Sequence, residues 1–157
     1  MADTKPPTKR ASSAGSGQVW TDEERAAMQS SARERKTSPR RDPAEERAEG
    51  LRDLQAAIAK MPEADRPVAE RFHGLVMAVD PDLAPKTYYG MPAYAKDGNT
   101  IFWFKNAGKF KQRYGTIEFS DKAKLDDGEV WPVSYALNEL TAAAEAQITA
   151  LVKKAAG

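Results

Sequence analysis

At 157 residues and a formal net charge of +1, the chain has room for one core and no global field strong enough to steer nucleic acid or a membrane surface. It contains no cysteine, which removes disulfides, thiolate zinc sites, iron–sulfur ligation and thiol nucleophiles from consideration. The start, MADTKPPTKRASSAGSG, carries no apolar run, and no stretch approaches the roughly 20 apolar residues that span a bilayer, so a soluble cytoplasmic protein without a membrane partner is expected.

Residues 1–19 are rich in Lys, Pro, Thr, Ser, Ala and Gly and have hardly a side chain whose burial could offset the entropy of ordering, so they read as disordered. At Thr21-Asp22-Glu23-Glu24 a capping box opens a helix expected over about 22–36, ended by Thr37-Ser38-Pro39. Its apolar content is little more than Ala26, Ala27, Met28 and Ala32, so it reads as a solvated or marginal helix. The basic residues Arg33, Arg35, Lys36, Arg40 and Arg41 complement a helix C-terminus and are interrupted by Glu34 and Asp42, which favours a solvated face over a nucleic-acid arm. Residues 1–41 are thus an extension, and 42–157 the folded domain.

Asp42-Pro43-Ala44-Glu45 combines an N-cap Asp, Pro at the first helical position and Glu at the third. Leu51, Leu54, Ile58 and Met61 follow at helical spacing as a core-facing stripe, while Asp42, Glu45, Glu46, Glu49 and Asp53 fall within about 100° on the opposite face. After Met61-Pro62-Glu63 a second amphipathic helix starts near 64–66 and ends before Asp80-Pro81, with Val68, Phe72, Leu75, Val76 and Val79 on one face and His73, the sole histidine, at its edge. No other His, Cys or Ser-containing motif is placed to work with that histidine, so a packing or surface role is expected.

From Pro85 the period becomes two. Thr87 to Tyr89 and Ala93 to Ala95 read as short strands broken at Gly90-Met91-Pro92 by a bulge or sharp bend. Asp97-Gly98-Asn99 is a hairpin turn into Thr100 to Lys105, whose Ile101, Phe102, Trp103 and Phe104 do not alternate and so must be covered on both faces or expose an aromatic patch. Asn106-Ala107-Gly108 turns the chain into a half-buried strand, 113–119. A loop with Asp126, Asp127 and Glu129 leads to Val130-Trp131-Pro132 and a last strand, 133–137. Thr141 caps a closing helix with Leu140, Ile148, Leu151 and Val152 on its apolar face. The fold class is α+β: an antiparallel sheet with helices packed on one face, behind a disordered to marginally helical extension.

Tyr89-Gly90-Met91-Pro92-Ala93-Tyr94, preceded by an amphipathic helix and Asp80-Pro81 and followed by the aromatic strand Ile101 to Phe104, resembles the YdhG-like family, catalogued as the domain of unknown function 1801. The resemblance spans about Leu51 to Ala155. It implies a frataxin-like two-layer fold with a curved sheet, and a role in binding and delivering intracellular iron to a receiving protein rather than in turnover.

Two ligand chemistries are compatible with these residues. With one His and no Cys, a metal site must rely on carboxylate oxygens, which suit hard cations such as iron; by analogy with frataxin-like proteins the candidates are Glu45, Glu46, Glu49 and Asp53, with Asp126, Asp127 and Glu129 as a second cluster. An amphipathic helix needs a polar face in any case, and Arg47 and Arg52 lie among these acids. The alternative is a small-molecule or anion site in the aromatic and basic stretch, using Tyr89, Met91, Tyr94, Trp103, Lys105, Lys109, Lys111 and Arg113, with single-stranded nucleic acid as a variant. An uncovered aromatic face would also favour a homodimer. For catalysis, the hydroxyls of Thr116, Ser120 and Ser134 have no identifiable base, and no Gly-rich phosphate loop occurs.

Overall fold

The computed structural model of the chain describes residues 21–37 and 42–157. Expectations that fall on residues 1–20 and 38–41, the disordered tail and the basic linker among them, lie outside the described residues. The architecture is α+β: helices α1 (Asp22–Thr37), α2 (Pro43–Ala59) and α3 (Arg66–Val79) precede strands β1 (Ala84–Tyr88), β2 (Met91–Lys96), β3 (Asn99–Lys105), β4 (Gly115–Phe119) and β5 (Ser134–Leu137), and α4 (Ala142–Ala156) closes the chain. The sheet is an open antiparallel meander in the order β1-β2-β3-β4-β5.

Helix starts follow the capping residues. Thr21 and Glu24 exchange side-chain and backbone bonds at 3.0 and 3.1 Å, the reciprocal pattern of a capping box. Asp42 Oδ1 accepts from the Ala44 amide at 3.3 Å with Pro43 in the first turn, and Thr141 Oγ1 accepts from the Ala144 amide at 3.1 Å. α3 departs from this pattern: Asp65 stands at its N-cap but makes no capping bond, because its Oδ2 accepts instead from Asn106 Nδ2 at 2.9 Å and from the Gly108 amide at 2.8 Å. Local capping is given up to tie the loop after β3 onto α3. At the other end of the chain, α4 presents C-terminal carbonyls that accept from the Lys124 amide and from Lys96 Nζ, both at 3.0 Å.

The strand boundaries correct two expectations. Gly90-Met91-Pro92 does not break the strand: a two-residue turn, Tyr89-Gly90, joins β1 to β2 with both residues at positive φ (49° and 76°), and Met91 and Pro92 are already in β2, paired with Tyr88 and Thr87. Pro92 is tolerated because the β2–β3 ladder stops at Ala93 and Trp103, one position before the missing donor would be needed. The second hairpin, Asp97-Gly98, repeats the geometry with φ of 53° and 80°, as its sequence predicts.

Register accounts for the broken alternation of the aromatic strand. Tyr94 pairs with Phe102 and Ala95 with Thr100, so Ile101 is skipped as a bulge residue. That single extra residue resolves the missing alternation: Ile101, Phe102 and Phe104 all join the core, and Trp103 alone stands on the other face. β4 begins at Gly115 rather than at Arg113, since the turn after β3 runs on through a 3-10 turn at Gly108–Phe110 and Lys111 at φ 52°.

Register then assigns the faces. Pro85, Tyr94, Phe102, Phe104, Ile117 and Phe119 share the face packed by Leu54 and Ile58 of α2, Phe72 and Val76 of α3, and Ile148 and Val152 of α4. Phe72 is the hub, with ring centroids 6.1, 6.2 and 5.4 Å from Tyr94, Phe102 and Phe104. Each such pair contributes about 0.5–1.5 kcal/mol beyond area burial. α2 lies closest to the sheet, along edge strand β1, where a Cβ on Gly50 would overlap the Pro85 carbonyl oxygen. Glycine in a helix interior costs about 1 kcal/mol relative to Ala. Here it permits backbone-to-backbone approach.

Candidate functional site

The close approach of α2 to β1 holds open a cleft at one end of the sheet. It has a volume of about 560 Å³ and is bounded by the first half of α2, the residues around Asp82, the start of β1 and the β2–β3 turn. Its ionisable lining comprises Glu46, Glu49 and Asp53 from α2 with Asp82 and Asp97, set against Arg47, Lys86 and Lys96. Five carboxylates against three cations leave an excess of two negative charges. Of the cations, Arg47 donates to the neutral Pro81 and Asp82 carbonyls at 2.6 and 3.4 Å and keeps its charge at the cleft, whereas Lys96 reaches Asp80 at 3.6 Å and the Ala156 carbonyl. The electrostatic character of the cleft is therefore acidic.

Three of the four helix carboxylates singled out from the sequence are thus brought to one cleft; Glu45 is exposed beside it, and Glu49 is half-buried rather than fully exposed. Asp126, Asp127 and Glu129 are exposed in the loop between β4 and β5. Among the described residues no three or more His, Asp or Glu side chains stand close enough to hold a metal ion directly. A cation in the cleft would keep its water shell and be bound through it. Asp82, Lys86, Lys96 and Asp97 were not singled out as site residues, their only sequence signal being charge next to turn residues, and Arg47 was noted only as a cation among the acids of α2.

The aromatic and basic stretch is divided by the sheet. Tyr94 is fully buried on the helix-packed face. Met91, Trp103 and Lys105 lie on the opposite face, where register also places Lys86, Tyr88, Ala93, Thr116 and Glu118. On that face the Tyr88 ring lies 4.6 Å from Trp103 at a tilt of 37° and meets Tyr89, which is 38% exposed in its turn, edge-to-face at 4.5 Å, and Trp103 Nε1 donates to Glu118 Oε2 at 3.0 Å. Burial, then the neighbouring Tyr89 and Glu118, push the Tyr88 phenol up from its ordinary pKa. The basic residues do not converge on this cluster: Lys105 and Lys109 lie over Phe110 at 4.4 and 5.6 Å, Arg113 lies over Tyr114 at 5.3 Å, and Lys111 is exposed. Partial burial pulls the Lys109 ammonium down from its usual pKa.

His73 has a structural partner. Its Nδ1 lies 3.0 Å from the hydroxyl of Tyr94, and the rings stack at 5.9 Å. Burial lowers the imidazole pKa and raises that of the phenol, so both are neutral near pH 7. The resemblance to the YdhG-like family rests on the residues quoted for it: a scan against protein-family models, a search of curated proteins and a search of solved structures each return no match.

Proposed function

We propose that the chain is a small binding domain, not an enzyme, that takes a cation in the acidic cleft between α2 and β1. The observation that carries this reading is the convergence of Glu46, Glu49 and Asp53 with Asp82 and Asp97, five carboxylates against the three cations Arg47, Lys86 and Lys96, around one cleft. Hydrated ferrous iron is the cation that the family resemblance suggests, and carboxylate oxygens suit it. Water-mediated binding would be weak and exchangeable, which fits cargo handed to a receiving protein and not a resident cofactor. The test is anaerobic titration with ferrous iron followed by amide NMR on the wild type and on an E46Q/D53N double variant. Saturable broadening at residues 43–53 and 82–87 that disappears in the variant supports the reading. Broadening that persists in the variant, or none, refutes it.

A second reading is favoured by the Tyr88–Tyr89–Trp103 cluster of edge-to-face and tilted rings on the face away from the helices. Those rings offer an aromatic patch for an apolar ligand, whereas Glu118 beside Trp103 disfavours nucleic acid. Quenching of tryptophan fluorescence by an aromatic-ligand panel, absent in Trp103→Ala, distinguishes it from the cleft.

A further inference from the structure

α2 and α3 enclose a groove of about 310 Å³, away from the cleft, lined by Gln55, Ile58, Ala59, Arg66, Glu70 and His73. These residues recur at i, i+3 and i+4 on α2 and at i, i+4 and i+7 on α3, so each helix turns one face to the groove. Along α3 the row reads cation, anion, imidazole. Arg66 and Glu70 have the spacing of an intrahelical ion pair, yet among the described residues they do not pair with each other; Arg66 reaches the Met61 carbonyl at 3.4 Å instead.

The third group is fixed from the core. Tyr94 is fully buried, and its hydroxyl meets His73 Nδ1. A phenol held away from water keeps its proton and donates it to the available acceptor, so Nδ1 accepts and Nε2 carries the ring hydrogen. The buried tyrosine thereby makes the remaining polar atom of the imidazole a donor. The groove offers a guanidinium, a carboxylate, an N–H donor and the apolar side chains of Ile58 and Ala59, with no net charge.

We infer that this groove is a second ligand site that takes a small zwitterion of amino-acid size. The ammonium pairs with Glu70, the carboxylate with Arg66 or the His73 Nε2–H, and the aliphatic part lies on Ile58 and Ala59. A simple anion would face Glu70 unpaired, and a simple cation would face Arg66.

The inference is tested on the full chain by NMR of the His73 ring and the backbone amides during titration with L-leucine, isovalerate and isoamylamine. The first carries both charges, the second the carboxylate alone and the third the ammonium alone. Leucine is expected to give saturable shifts at His73, Gln55 and Glu70, and the other two to bind about tenfold more weakly, each lacking one charge-assisted contact. Arg66 and Glu70 are exposed, so R66Q and E70Q leave the fold intact, and E70Q should erase the advantage of leucine over isovalerate. Absence of saturable leucine shifts at His73, equal binding of isovalerate and leucine, or leucine shifts unchanged in both variants would each overturn it. The cation reading depends on other residues, 43–53 and 82–87, and its outcome is independent.

Discussion

Replacing Gly50 by Ala tests the packing that creates the cleft. A Cβ at this position would overlap the Pro85 carbonyl oxygen, with the Pro85 carbonyl carbon at 3.4 Å and the Lys86 Cα at 3.5 Å already in van der Waals contact. All three are backbone atoms, so no side chain can rotate away and α2 must lift from β1. Overpacking of this kind costs about 1–3 kcal/mol, while alanine regains about 0.5–1 kcal/mol of helix propensity, leaving a net loss of about 1 kcal/mol at the middle of these ranges. For a domain of this size that corresponds to a Tm lowered by about 4–8 °C. Gly74 of α3 supplies the control, because a Cβ there meets nothing within 4 Å. Gly74→Ala should therefore stabilise by about 0.5–1 kcal/mol. Calorimetry of both variants gives the comparison, with shifts of opposite sign expected. A Gly50→Ala protein as stable as Gly74→Ala would mean that α2 does not rest on the β1 backbone, and the cleft built on that contact would go with it.

Asp65→Ala should cost about 2–3 kcal/mol in urea unfolding, since it leaves the buried Asn106 amide and the Gly108 N–H without their acceptor. Tyr94→Phe removes the hydroxyl facing His73 and should cost about 1–2 kcal/mol, with the His73 ring resonances moving in the same spectrum that reports folding. The pH dependence has a defined sign. Burial holds the folded His73 below its ordinary 6.5, so the unfolded chain binds the proton more tightly; the stability gained from neutral imidazole is complete above pH 6.5 and is lost as pH falls from there through the depressed folded value. The urea midpoint should accordingly drop between pH 7.5 and 5.5 in the wild type and drop less in His73→Gln; equal slopes would remove His73 as the cause.

What the sequence determined by itself was local. The capping box at Thr21 and Glu24, the Asp42-Pro43 start, the Thr141 cap and the Asp97-Gly98 turn were legible because the groups that satisfy each backbone bond lie within a few residues of it. The α+β class followed from the switch in apolar period from helical to alternating. The tertiary structure decided what depends on separation in sequence. Skipping Ile101 sends three of four consecutive apolar side chains to the core, a choice made by the β2–β3 register and not by the residues themselves. Tyr94 looked like a ligand-binding ring and proved to be buried, with its hydroxyl in hydrogen-bond contact with a histidine 21 residues earlier. The carboxylates of α2 formed a stripe in the sequence, as the polar face of any amphipathic helix would. Three of them acquired a cleft only because Gly50 lets that helix touch β1, which brings Asp82 and the Asp97 turn to the same opening.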